Sequence, residues 1–108
     1  MPYYMVQASY TSESWGVQIS NPANRFEQIQ GTVQGLGGSL DSIYYTFGDY
    51  DIVGIAQFPD NTTAAAFSLA ASAGGAVTSV KTTPLMTAEE GMAAMRKAGG
   101  AGYKPPGR

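Results

Sequence analysis

Gly48, Tyr50 and Asp51 stand within four residues of one another and carry the most chemistry in the chain. A phenol donates a hydrogen bond, a carboxylate accepts one, and glycine allows the backbone to turn tightly between them. One use of such a group is structural: Gly for a hairpin turn, Tyr for cross-strand packing, Asp for a bond to the loop backbone. The other is a pocket mouth. There Tyr45 or Tyr50 would orient an aromatic or enolisable substrate, and Asp51 would act as a general base if burial raised its pKa. Tyr3, Tyr4, Tyr44, Tyr45 and Trp15 form an aromatic-rich set. Aromatics in strands are mostly core, but their polar tips need partners, and a cavity lined by them suits a flat apolar ligand. Arg25 and Lys81 are the cations inside the folded elements ahead of the last helix, and either could hold a ligand carboxylate. Trp15, Arg25, Tyr45, Tyr50, Asp51 and Lys81 are therefore the candidate ligand-binding residues; none is assigned as catalytic.

Other chemistries are narrowed by composition. The chain has no His and no Cys, which removes a Ser-His-Asp triad, a thiol nucleophile and a His-ligated haem. Zinc sites almost always use those residues, and no D-x-D-x-D calcium loop occurs, so neither a metal nor a cofactor is expected. The glycine pairs Gly37-Gly38, Gly74-Gly75 and Gly99-Gly100 follow helical stretches, whereas phosphate-binding loops precede them. Net charge is -2 and the basic residues are scattered, so nucleic acid is not an expected partner. No apolar run approaches the roughly 20 residues of a membrane span, and Met1-Pro2-Tyr3-Tyr4 does not read as a signal peptide. A cytoplasmic protein is expected. At 108 residues it has the size of one domain. Only 13% of residues are charged, about half the usual share, which favours self-association.

The elements that position these residues follow from pattern. Tyr3 to Tyr10 reads as a first strand, and polar Thr11 to Ser20 as a loop or short helical turn. Asn21-Pro22 signals a helix start; Phe26, Ile29, Val33 and Leu36 then mark one helix face, and Gly37-Gly38 the stop. Leu40 to Phe47 and Tyr50 to Phe58 read as a hairpin about Gly48-Asp49. Pro59-Asp60 opens an Ala-rich helix over Thr63 to Ala73. Ala76 to Thr83 reads as the fourth strand, ended by Pro84. Thr87-Ala88-Glu89-Glu90 is a capping box for a third helix, with Met92 and Met95 on one face. The order βαββαβ predicts an α+β, ferredoxin-like domain over residues 1–98: a four-stranded antiparallel sheet, helices on one face, and an extra C-terminal helix. Residues 99–108 form a Gly/Pro-rich tail.

The strand pattern also bears on assembly. Ile52, Gly54, Ala56 and Phe58 alternate with Val53 and Ile55, so the third strand is apolar on both sides. Leu40 and Tyr44 are expected on one side of the second strand, with Ile43, Tyr45 and Phe47 on the other. Helices cover one face only, and a copy of the same sheet is the simplest cover for the second. A third helix folded beneath the sheet is the alternative.

The hairpin Phe47-Gly48-Asp49-Tyr50-Asp51-Ile52-Val53, continuing through Pro59-Asp60 to Ala64-Ala65-Ala66-Phe67, resembles the GYD domain family. Gly48, Tyr50 and Asp51 match its signature. Tyr10-Thr11, Leu36-Gly37-Gly38 and Leu85 extend the likeness over about residues 3 to 98; Trp15 and Asn21 to Ala23 depart from it. The resemblance implies a ferredoxin-like fold of the dimeric α/β barrel type. It selects no activity, since related folds host cofactor-free oxygenases, small isomerases and haem enzymes. The expected function is a homo-oligomeric module, a homodimer or higher, that binds a small apolar molecule or serves structurally. The alternative is a cofactor-independent oxygenase or isomerase.

Overall fold

A computed structural model of the chain describes residues 1–107; Arg108, the end of the expected tail, lies outside the described residues. In chain order the elements are β1 (Tyr3–Tyr10), α1 (Ser12–Ser20), α2 (Arg25–Gly35), β2 (Ser39–Tyr45), β3 (Ile52–Gln57), α3 (Asn61–Ala73), β4 (Val77–Leu85) and α4 (Ala88–Gly99). The strands form one antiparallel sheet in the order β2-β3-β1-β4, the ferredoxin-like topology expected from the element pattern.

The polar stretch after β1 is a full helix rather than a loop. The Thr11 hydroxyl caps α1 by accepting the Ser14 N–H at 3.0 Å. Trp15 anchors the helix by packing edge-on against Tyr10, ring centroids 5.2 Å apart. The Asn21-Pro22 pair ends this helix instead of starting the next. A residue before proline is pushed out of the α region, and Asn21 sits at φ -145°, ψ 76°. Asn24 caps α2, its side chain accepting the Phe26 N–H at 3.0 Å. At the other end Gly37 takes φ 82°, and Gly38 N–H bonds the Val33 carbonyl at 2.9 Å, a Schellman closure. Gly38 then passes so near β3 that a Cβ there would run into the Gln57 carbonyl oxygen.

The bounds of β2, β3 and β4 differ from expectation. β2 stops at Tyr45 and β3 starts at Ile52, so residues 46–51 form a loop between them. β4 runs through Pro84 to Leu85, which an edge strand tolerates because proline's missing N–H costs least there. β2 carries an irregularity between Leu40 and Ser42, where Asp41 is the extra residue. This bulge reverses the alternation, so Leu40, Ile43 and Tyr45 share one side and Tyr44 stands on the other. The expected pairing of Leu40 with Tyr44 fails for that reason.

α2 packs over β2 and α3 over β4 on a single face. Tyr4, Val33, Leu40, Ala56, Phe58 and Ala64 form the main core there, and Ala8, Tyr10 and Ile52 a second cluster beside it. The opposite face shows Tyr3, Met5, Tyr44, Val53, Ile55 and Leu85, of which none is buried. α4 buries no residue either. The radius of gyration is 17.4 Å and the longest dimension 59 Å; a compact chain of this length would have a radius of about 13 Å. α4 and residues 100–107 add length to the body and bury no residue against it. Among the described residues no helix is long and apolar enough to cross a membrane.

Candidate functional site

Small residues open a cavity between the sheet and its helices. Ala8 on β1 and Gly54 and Ala56 on β3 project little or nothing into the layer beneath α2 and α3, and Ala71 does the same from above. The remaining wall is Ile29, Val33, Phe67, Val80 and similar apolar side chains, around a partly open space of about 100 Å³. A depression between α2 and α3 shares Arg25, Ile29, Phe67 and Ala71 with it.

Among the described residues Arg25 is the one charged residue of the wall. As the first residue of α2 it is placed by the Asn24 cap. Its Nη1 donates to the neutral Gln28 Oε1 one turn on. Its Nε is buried and has no hydrogen-bond partner among the described residues. Near it lies an aromatic corner. Tyr10 lines the cavity, Trp15 packs on Tyr10, and Trp15 meets Tyr45 at 6.5 Å and 41°. Burial pushes the Tyr45 phenol above its ordinary value of 10.0, and the Tyr10 phenol adds to this, while the Arg25 guanidinium pulls it back. Trp15, Arg25 and Tyr45 are thus brought together.

The hairpin motif sits apart from the cavity wall. The Asp51 carboxylate accepts the Tyr10 N–H at 2.9 Å, and its own N–H donates to the Ala8 carbonyl at 2.9 Å. Ser9 Oγ donates to the Asp49 carbonyl, and Thr46 Oγ1 to that of Tyr50. Gly48 takes φ 124° at the loop's turn. These bonds strap the loop to the end of β1. Lys81 is exposed on the opposite face, where it pairs in register with Gln7. Among the described residues no cluster of carboxylates could hold a metal ion. The candidate set omitted Tyr10, Gly54, Phe67 and Ala71. Their signal was present as a glycine and alanines inside a strand, opposite an Ala-rich helix, which together leave volume unfilled.

A model of the GYD domain matches residues 4–95. The crystal structure of MtbAldR is similar in fold, with a TM-score of 0.57 at 13% identity, over 80% of this chain and 53% of that one. The chain therefore spans about half the length of that neighbour. None of the curated proteins matches. The α+β, ferredoxin-like expectation agrees with the strand order and with this likeness.

Proposed function

The chain belongs to the GYD domain family, and we propose that it is a homo-oligomeric module, at least a dimer, that takes a small apolar molecule between its sheet and helices. The observation that carries this is the cavity of about 100 Å³ beneath α2 and α3, walled by aliphatic and aromatic side chains. Protein interiors are packed to crystal-like density, so unfilled apolar volume of this size is a place for a guest. Asp51 is spent on the backbone of β1 and does not line the cavity, which supports binding over general-base chemistry. The uncovered sheet face, with Val53 and Ile55 at its centre, supports a second copy as its cover.

Indole is a suitable uncharged probe. Its titration should shift the methyl resonances of Ile29, Val33 and Val80, and Gly54→Val should abolish the shifts by filling the space. A Cβ at Gly54 meets nothing closer than 3.5 Å, ordinary contact, and circular dichroism checks that the variant is folded. Unmoved methyl resonances at saturating indole would refute the cavity reading. Light scattering at micromolar concentration tests the oligomer, and a strictly monomeric mass would refute it.

A further inference from the structure

We propose that the occupant of this cavity is a small monocarboxylate with an aromatic or branched aliphatic body, its carboxylate received by Arg25; this rests on the cavity reading above. The first ground is the Nε of Arg25, buried and without a partner among the described residues. A buried N–H without an acceptor is rare, and leaving one unpaired is costly. Guanidinium is a planar fork that matches a carboxylate with two parallel bonds. The bond from Nη1 to Gln28 holds one arm of the fork, and a ligand carboxylate would reach the covered Nε with a turn of the side chain toward the cavity.

The second ground is charge. The cavity wall contains no Asp or Glu, so Arg25 meets no anion there. A ligand carboxylate supplies the missing charge. A ligand ammonium would find no carboxylate partner in the wall, and burying it unpaired is expensive. Free amino acids are therefore disfavoured against the corresponding simple acids. The third ground is size and polarity. About 100 Å³ is somewhat less than the roughly 150 Å³ of an apolar cavity that takes benzene, so the apolar body of benzoate or 4-methylpentanoate would occupy it with the carboxylate at its open side. Apart from Arg25 and the Tyr10 phenol, the wall offers no polar side chain to a sugar or a nucleotide.

The test is calorimetric titration of the full chain near pH 7 with benzoate and 4-methylpentanoate, each against its own amide. Each acid should bind about tenfold or more tightly than its amide, the scale of a hydrogen bond to a charged group. Arg25→Gln should remove that preference, Arg25→Lys should restore part of it, and phenylalanine should bind more weakly than 3-phenylpropanoate. Equal affinity for acid and amide in the unaltered chain overturns the proposal, with no variant required. So does an acid preference that survives in a folded Arg25→Gln, or phenylalanine binding as well as its deaminated counterpart. If indole moves the cavity methyls while the acids show no advantage, the cavity stands and the ligand class falls. If neither binds, both fall.

Discussion

Asp51 shows how one side chain can decide the position of a loop. Its carboxylate and its amide reach two points of β1 two residues apart, the Tyr10 N–H and the Ala8 carbonyl, both at 2.9 Å. Replacing it with Asn keeps an acceptor but removes the charge. Asp51→Asn should cost about 1–2 kcal/mol, as expected for weakening a hydrogen bond to a charged group, and urea denaturation will measure it. An unchanged midpoint would mean the strap is not needed. That Asp51 would accept backbone N–H groups was legible from its place beside a glycine turn. That the donor would be Tyr10, on another strand, was not, because strand register is set by whole-sheet packing. Arg25 was legible as a candidate carboxylate holder by its type. Its solitary Nε depends on where Gln28 lies and on what the wall lacks, and no local pattern encodes that.

At the level of elements, caps were legible in kind and less so in position. The side chains of Thr11, Asn24, Asp60 and Thr87 each accept an N–H from the first turn of a helix. The local Thr87–Glu90 box and Asp60 appear where expected. The cap of α2 does not, because Asn21 and Asn24 are equally good caps and the proline between them ends one helix before the other begins. Asp60 carries a pH signature. The Thr63 hydroxyl and then the Thr63 N–H hold its carboxyl below the ordinary 3.8. A depressed carboxyl stabilises the fold fully above its unfolded value, and the contribution is lost as pH falls through the lower, folded one. Thermal midpoints of the parent and Asp60→Asn should therefore converge as pH drops from about 5 to about 2. Parallel curves across that range would contradict the assignment. The Asp41 bulge was invisible in the sequence, since an inserted residue changes which side chains share a face without changing their order.

The whole molecule is longer than its core requires, and the excess is α4 with the tail. Tyr103 and Met95 are 78% and 72% exposed, so this arm adds nothing to the body's own interior. Ile55→Asp, on the uncovered face, should yield a folded monomer by light scattering; persistence of the parent mass would exclude that face as the contact. In that monomeric background, ending the chain at Met86 should move the thermal midpoint by less than about 4 °C, below the shift of 1 kcal/mol in a small domain. A larger fall would show that α4 supports the monomer. The capping box and amphipathic pattern announced this helix, but its separation from the sheet is a property of the tertiary arrangement. The two margins of the sheet have a further consequence. β2 is bent by its bulge at Asp41, and β4 carries Pro84, which lacks an N–H. Exposed strand edges recruit further strands without limit, and kinks and prolines are what interrupt such recruitment. A sheet blunted on both margins and apolar on one broad side can satisfy itself by stacking once. It cannot extend sideways, so concentrated solutions of this chain should hold a finite particle rather than fibres.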